Sequence, residues 1–217
     1  DPLNQVTTLT HDTMGRLTAV QDSLGNTTTM QYDSNGNQTV ALNALGQRST
    51  LVYDSLNRLQ ATVDPLSNRT TQTYDGVGNL TEVQDANGNR ATSVFDSANR
   101  LTATIDPLNS RTTLGYDAAG NQVTVKDANN NVTTTVYDSL NRVNAVVDPL
   151  NNRTTLSYNA VGLQTEIQDA NGKRTTQVYD SLNRLQATVD ASGNRTTLSY
   201  DSAGNQTAIQ DARGNRV

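Results

Sequence analysis

Apolar and polar residues alternate in short stretches along the whole chain, and turn-forming residues interrupt each stretch. Leu59, Ala61 and Val63 alternate with polar neighbours, and Leu101 and Ile105 lie in a second copy of the same pattern. Period-two alternation in segments rich in Thr, Val, Leu and Tyr is typical of a β-strand. The pattern predicts an all-β fold of about twenty short antiparallel strands joined as a repetitive array of β-hairpins.

Each predicted strand ends at an acidic residue or Asn, and Gly or Asn follows three positions later in nearly every case. The stretches "DSNGN" at 33–37, "DGVGN" at 75–79 and "DANGN" at 85–89 show this pattern, and Ser67 is an exception. An Asp side chain accepts hydrogen bonds from the backbone of its own turn, and Gly or Asn tolerates the positive φ that closes a tight hairpin. The sequence therefore predicts type I turns followed by a left-handed residue.

The aromatic residues recur at one fixed spacing. Every Tyr, the single Phe and the single His occupy one slot that repeats every 21 residues. The slot holds His11, Tyr32, Tyr53, Tyr74, Phe95, Tyr116, Tyr137, Tyr158, Tyr179 and Tyr200. Such a period is the signature of a repeat protein whose units stack on their neighbours, so we expect these side chains to form a structural aromatic ladder.

Acidic residues follow the same period. The position after the aromatic slot is Asp in nine units and Asn159 in the tenth, and a second acidic slot follows ten residues later, with Asn43 in one gap. The predicted turn acids of the first slot are Asp12, Asp33, Asp54, Asp75, Asp96, Asp117, Asp138, Asp180 and Asp201. Each 21-residue unit therefore contains a first turn, directly after the aromatic residue, and a second turn.

A longer period lies on top of the first one. The first turn ends in Arg in alternate units, as at Arg16 and Arg58, and in Asn or once Leu in the units between them, which predicts a 42-residue super-repeat. The apolar residue nearest the second turn also moves by one place, from Val63 to Val83 in successive units. A one-residue shift moves a side chain to the other sheet face. This predicts either a wall that is apolar on both sides or hairpins that alternate between two packing environments.

Composition limits the classes of function. Only 34% of the 217 residues are hydrophobic and 4% aromatic, so the core is thin, and no apolar run is long enough for a membrane-spanning helix. The net charge of −5 opposes binding to nucleic acid, which needs clustered Lys and Arg. There is no cysteine, so disulfides and thiolate metal sites are excluded.

The chain offers little for catalysis or for a cofactor. His11 fills an aromatic slot, and every acid except Glu82 and Glu166 repeats a turn position, so we expect no enzyme. Turns such as Asp85, with Asn at alternate positions after it, resemble Ca²⁺ loops but lack a bidentate Glu, so calcium is only a weak candidate. The arginines near the turns are expected to offset the turn acids as surface ion pairs.

The Tyr-Asp dipeptide, the "DxxGR" or "DxxNR" turn at Asp12 to Arg16 and Asp54 to Arg58, and the 21-residue spacing together resemble the YD repeat, also called the Rhs repeat. Its members include bacterial Rhs toxins, wall-associated repeat proteins, shell subunits of insecticidal toxin complexes and teneurins. The resemblance implies a strip of β-hairpins that spirals into a wall, in many members a hollow shell around a C-terminal toxin.

The sequence departs from the toxin members in two respects. It has no self-cleaving segment of the "DPxxG" type, and its copies are unusually uniform, which favours uniform curvature and a fibrous array. We expect residues 1–217 to form one continuous array of ten units plus seven residues, cut from a longer chain. The predicted function is structural, in an extracellular or cell-surface fibre, sheath or shell wall, with self-association or neighbouring repeats as partners. The alternatives are a toxin-enclosing shell with enclosed cargo and an adhesin whose tyrosines bind cell-surface glycans.

Overall fold

The computed structural model describes residues 6–217, and every regular element in them is a β-strand. The chain separates into two compact units, Asp1–Arg111 and Thr112–Val217. In the first unit the strands are β1 (Thr8–His11), β2 (Leu17–Gln21), β3 (Thr27–Tyr32), β4 (Gln38–Leu42), β5 (Arg48–Tyr53), β6 (Leu59–Val63), β7 (Arg69–Tyr74), β8 (Leu80–Gln84), β9 (Arg90–Phe95) and β10 (Leu101–Ile105).

The second unit repeats this arrangement. Its strands are β11 (Arg111–Tyr116), which starts at the boundary, β12 (Gln122–Lys126), β13 (Val132–Tyr137), β14 (Val143–Val147), β15 (Arg153–Tyr158), β16 (Gln164–Gln168), β17 (Arg174–Tyr179), β18 (Leu185–Val189), β19 (Arg195–Tyr200) and β20 (Gln206–Gln210). Within each unit consecutive strands pair antiparallel, so the predicted all-β array of about twenty strands is confirmed.

The strand pairing beside the first turn differs from the pairing beside the second turn. Across the first turn, Tyr53 lies opposite Leu59 but Val52 lies opposite Ala61, so one strand carries an extra residue as a β-bulge. Across the second turn, the pairing of Val63 with Arg69 continues into the ladder without a shift. The same difference recurs in the hairpins within each of the two units. The aromatic residue is therefore always placed beside a bulge.

The register explains the one-residue shift of the apolar positions. Val63 pairs with Thr50 and Arg69, whereas the residue equivalent to Val63 in β8 is Gln84, one position after Val83. Because successive side chains in a strand point to opposite faces, Val63 and Val83 lie on opposite faces of the sheet. Apolar side chains thus occur on both faces of the first unit, as the first of the two alternatives predicts.

The buried centre of the sheet consists of small side chains. Within residues 6–217 the buried hydrophobic residues are Val40, Ala61, Ala103, Ala145, Ala187 and Ala208, and four of these alanines have no exposed surface. Ala61 and Ala103 lie opposite Val52 and Val94. At two positions where the third residue of the strand is larger, the partner is small: Glu166 lies opposite Ser157 and Thr124 opposite Gly115. In these pairs a larger side chain on one strand lies opposite a small one on the other.

Candidate functional site: the two turn edges

All turns share one pattern of hydrogen bonds. In the first turn after β5, the Asp54 backbone N–H donates to the Arg58 carbonyl oxygen, 2.9 Å, and the Asn57 N–H donates to the Asp54 carbonyl oxygen, 3.0 Å. Oδ1 of Asp54 accepts hydrogen bonds from the N–H groups of Leu56 and Arg58, both 2.9 Å. The acid therefore satisfies backbone donors that the strands leave unpaired.

The fourth turn position adopts a left-handed backbone. It is Gly or Asn in most turns, with Asn57 at φ 61°. Ser67 adopts the same conformation, with φ 67°. The exception to the sequence pattern therefore keeps the turn geometry and accepts the steric cost of a left-handed Cβ.

These hydrogen bonds lower the pKa of the turn acids. The side-chain amide of Asn37 and the backbone N–H groups of the turn hold the pKa of Asp33 below its ordinary value, and Asn68 does the same for Asp64. For Asp54 the backbone N–H of Arg58 contributes most to lowering the pKa, followed on the favourable side by its guanidinium. Burial opposes the shift in each case. The hydrogen bonds and the guanidinium favour the ionised carboxylate, whereas burial disfavours it.

The same bonds occupy the oxygens that a calcium ion would need. In the turn 85–89, Oδ1 of Asp85 accepts from the N–H groups of Asn87 and Asn89, and Oδ2 accepts from the Asn89 amide at 2.8 Å. Over residues 6–217, His, Cys, Asp and Glu form no group of three or more that could hold a metal ion. The turn acids act as acceptors for their own turns.

Arginines connect successive first turns at three junctions, those of Arg16, Arg58 and Arg184. Nε of Arg58 lies 2.7 Å from Oδ2 of Asp54, and Nη1 donates to the Asp75 carbonyl oxygen at 3.1 Å, in the following first turn. The same guanidinium lies 4.6 Å from the centre of the Tyr74 ring. We call this three-way contact the arginine clamp. All three contacts recur at Arg16, which stacks on Tyr32, and at Arg184, which stacks on Tyr200, and Arg142 repeats the ion pair and the stacking, on Tyr158, with ring distances of 4.5–4.8 Å.

Asparagines connect the junctions between clamps. Nδ2 of Asn37 donates to Oδ1 of Asn57 in the next first turn at 2.9 Å, and Asn121 donates to Asn141 at 2.9 Å. Leu163 stands at the corresponding position in the second unit and has no amide to donate. The 42-residue super-repeat thus corresponds to two junction types, one closed by arginine and one by asparagine.

The aromatic slot supplies the ring for each clamp and a second anchor. The Tyr32 hydroxyl donates to the Leu17 carbonyl oxygen at 2.7 Å, and the Tyr200 hydroxyl donates to that of Leu185 at 2.7 Å. Each acceptor is the first residue of the preceding strand, beside the bulge. The nine Tyr and Phe side chains of the slot are half-buried, whereas His11 is exposed.

The second turns differ from the first in how their arginines pair. The sequence led us to expect these arginines to offset the acids of their own turns, and the structure corrects this expectation. Nη1 of Arg90 lies 3.0 Å from Oε1 of Glu82, and Arg174 contacts Glu166 in the same way at 3.1 Å. Most acids of the second turns are instead held by Asn amides, as Asp64 is by Asn68 at 2.8 Å. Only the first-turn arginines pair with their own acid, in five turns of the described chain.

Shallow clefts lie along the second-turn edge. One of about 340 Å³ is bounded by Asn151, Arg153, Gln168 and Gly172, and another of about 240 Å³ by Leu51, Thr62, Asp64 and Thr70. Neither contains a group with the geometry of a catalytic acid, base and nucleophile. Among residues 6–217 no helix could cross a membrane.

The clamp is the functional feature that the sequence interpretation missed. Arg58 and Tyr74 are 16 residues apart, and the same spacing separates Arg16 from Tyr32 and Arg184 from Tyr200. This constant spacing was a detectable signal. The spacing alone does not show that the two side chains touch, because the bulge determines how far the aromatic residue lies from the preceding turn.

Comparison with protein-family models identifies the same repeat. The family model described as RHS Repeat matches residues 15–48, 53–90, 95–132, 137–174 and 179–216. The last four matches start 42 residues apart, the period of the arginine clamp. Comparison with curated proteins finds no match.

Solved structures show the same fold. The crystal structure of TcdB2-TccC3-TEV is 17% identical, with a TM-score of 0.54 over 97% of this chain. The Tc holotoxin pore of Photorhabdus luminescens is also 17% identical, with a TM-score of 0.55 over 98% of this chain. The chain spans about 15% of the length of each of these proteins.

Proposed function

Because the chain belongs to the RHS repeat family, we propose that it is a structural wall segment, a strip of stacked hairpins within a secreted or cell-surface protein. The observation that carries this proposal is the linkage of successive first turns. Arg58 connects the acid of its own turn, the next aromatic ring and the backbone of the next turn. These side chains hold one repeat against the next, as a continuous wall requires.

The geometry also explains how a polar chain forms a stable sheet. One hairpin is marginal in water, and stacking on similar neighbours buries surface that it cannot bury alone. The central alanines are fully buried although the chain has few large apolar residues, because both neighbouring strands approach them closely. Neighbouring repeats of the same long chain are therefore the first partners that we propose, and the extended product is a fibre, sheath or shell.

Replacing the clamp arginines tests this proposal. In a variant with Arg16, Arg58, Arg100, Arg142 and Arg184 all changed to Gln, we expect thermal unfolding well below that of the wild type, since each turn loses an ion pair and those of Arg16, Arg58, Arg142 and Arg184 also lose a cation–π contact. Replacing the second-turn arginines Arg48, Arg69, Arg111, Arg153 and Arg195 by Gln removes the same charge and is the matched control. Equal melting temperatures for the two variants, measured by circular dichroism, would contradict a structural role for the clamp.

The likeness to Tc toxin structures supports a second candidate, the wall of a shell that encloses cargo. Electron microscopy of the native full-length assembly separates the two forms. Long uniform filaments are the expected result for a fibre, and closed hollow particles are the expected result for an enclosing shell. Dispersed, unassembled particles would contradict both.

A further inference from the structure

The first turn between β15 and β16, at residues 159–163, differs from the other first turns in its side chains. It reads "NAVGL", so it has no acid at its first position and no arginine or asparagine at its fifth. In the other nine first turns of the described chain, the side chain of the fifth residue donates a hydrogen bond to Oδ2 of the acid. Leu163 has no donor for such a bond, so this turn is the most weakly braced of its kind in residues 6–217.

The junction with the preceding first turn lacks a hydrogen bond. Arg142 holds its own acid with two nitrogens, since Nε and Nη2 each lie 2.7 Å from Oδ2 of Asp138. Within the described chain it donates no hydrogen bond to the Asn159 carbonyl oxygen, whereas Arg58 donates to that of Asp75 at 3.1 Å. Asn159 is neutral, so no carboxylate in this turn attracts the guanidinium across the junction.

The junction with the following first turn lacks its hydrogen bond as well. In the first unit, Oδ1 of Asn57 accepts from the amide of Asn37, in the turn before it, at 2.9 Å. Asn183 is the equivalent acceptor after the turn at 159–163, and within residues 6–217 its Oδ1 has no donor, because the side chain of Leu163 is aliphatic. In the described chain this turn is therefore joined by side-chain hydrogen bonds to neither neighbouring first turn.

The surrounding sheet is intact. Tyr158 keeps both contacts of its slot, a hydroxyl hydrogen bond of 2.8 Å and stacking at 4.5 Å from a guanidinium, and β15 pairs with β16 in the usual register. On one side the link from Asn121 to Asn141 is present at 2.9 Å. On the other side Arg184 reaches the Asp201 carbonyl oxygen at 3.4 Å. The weakness is therefore confined to a single turn between linked neighbours.

We propose that the turn at 159–163 is a yielding joint of the wall, where the first-turn edge opens locally while the strands on both sides stay paired. Local opening in a folded protein occurs where the fewest contacts oppose it. A turn that is released from both neighbours lets the hairpins on either side separate at this edge, so a stiff strip can bend there. The opening is a property of the fold, whereas its use as a joint rests on the proposed wall role.

Hydrogen exchange of the full chain, followed by NMR or mass spectrometry, tests the joint. The amides compared are those that close each turn: the Gly162 N–H donates to the Asn159 carbonyl oxygen at 3.0 Å, and the Asn183 N–H donates to that of Asp180 at 2.9 Å. Protection factors, which correct for intrinsic exchange rates, should be at least about fivefold lower at 162 than at 183, the factor that one hydrogen bond of ordinary net strength represents. Fraying from the chain end would act in the opposite direction.

Two variants move the defect. Asn159→Asp with Leu163→Asn restores the acid, its side-chain bond and the donor for the next turn, so protection of this turn should rise at least about fivefold. Asp75→Asn with Asn79→Leu copies the defect into the first unit, and protection of that turn should fall by the same factor. Val161→Ala changes only the exposed tip, where other first turns already carry Ala, and as the control it should leave protection unchanged.

Two results would overturn the proposal. Equal protection of the closing amides at 162 and 183 in the wild type would show that the missing links do not weaken the turn. A restoring variant without a rise in protection, or a copied defect without a fall, would show that these side chains do not control the opening. Fast exchange throughout the array would instead contradict the proposed structural function, because stacked hairpins protect their strand amides, so the two failures are distinguishable.

Discussion

At the scale of single residues, the turn position decides which side chain is acceptable. Asn43 makes the same two backbone contacts as the turn acids: its Oδ1 accepts from the N–H groups of Leu45 and Gln47, at 3.0 and 2.9 Å. The hydrogen-bonding role of the acid therefore does not require a charge. What the charge adds is stronger acceptance of hydrogen bonds, and with it a dependence on pH.

Acid should destabilise the array through these carboxylates. A pKa that is lower in the folded protein contributes stability that is present above the unfolded pKa, about 3.9 for Asp, and is lost as pH falls through the folded pKa. We expect the melting temperature to hold near neutrality and to fall steadily below about pH 4. Changing Asp22, Asp64, Asp148 and Asp190 to Asn should flatten that fall, since Asn at 43 already forms this turn without titrating. An unchanged pH profile in this variant would contradict the assignment.

Ser67 offers a stabilising substitution. Its φ of 67° is costly for an L-residue with an ordinary side chain, and Gly or Asn occupies this position in the other turns. Ser67→Gly should raise the free energy of unfolding by several tenths to about 1 kcal/mol, measured by urea denaturation. Ser55→Gly in an exposed position of another turn is the control, and it should be neutral or destabilising. A gain at 55 equal to that at 67 would show that backbone strain is not the cause.

At the scale of the hairpin, the bulge and the aromatic residue act as one feature. The bulge interrupts the regular ladder beside the first turn, and the hydroxyl of the following tyrosine binds the carbonyl oxygen there. Phe95 fills the slot without a hydroxyl, so the ring alone suffices at that position. The contribution of the hydroxyl can therefore be measured separately from that of the ring.

Tyr32→Phe should lower the free energy of unfolding by about 0.5–1.5 kcal/mol, the usual net value of one hydrogen bond. Tyr53→Phe in the same unit is the matched control, because within the described residues the Tyr53 hydroxyl has no hydrogen-bond partner. Denaturant titration of both variants gives the comparison. Equal losses at the two positions would mean that the Leu17 carbonyl contributes nothing specific.

Hairpins are also the scale at which sequence patterns were most informative. The alternation of Leu59, Ala61 and Val63 predicted β6, and the positions of the turn acids predicted where strands end. The ion pair between Arg90 and Glu82 was not predicted, because it depends on strand register: Gln84 lies opposite Arg90, which brings Glu82 within diagonal reach. The clamp was missed for the same reason, since the bulge that positions Tyr74 leaves no mark in the spacing of apolar residues.

At the scale of the whole molecule, the family resemblance inferred from the Tyr-Asp dipeptide and the turn pattern is confirmed by five matches to the RHS repeat model. The resemblance predicted the hairpin strip. Sequence patterns also indicated a unit of 42 residues rather than 21, and the two junction types give a physical reason for it. The total number of repeats cannot be predicted from the sequence of one repeat, because every unit contacts nearly the same neighbours.

The 42-residue unit predicts how the array responds to deletion. Removing residues 54–95 joins Tyr53 to Asp96 in phase and preserves the alternation of arginine and asparagine junctions. Removing only residues 75–95 places the turns of Arg58 and Arg100 side by side and deletes the Asn79–Asn99 contact of 3.2 Å. We expect the shorter deletion to lower the melting temperature more, although it removes half as many residues. The opposite order in thermal unfolding would show that 21 residues is the energetic unit.

The arginine clamp also gives the array a direction. The strands alternate up and down, so the backbone meander by itself hardly distinguishes one end of the sheet from the other. Each clamp, however, reaches from one turn to the turn that follows it in sequence, as Arg16 reaches the Asp33 carbonyl oxygen and Arg184 that of Asp201. A repeat that has just been synthesised therefore already carries the guanidinium that will receive the next ring, and the wall can be completed in the order in which the ribosome delivers it.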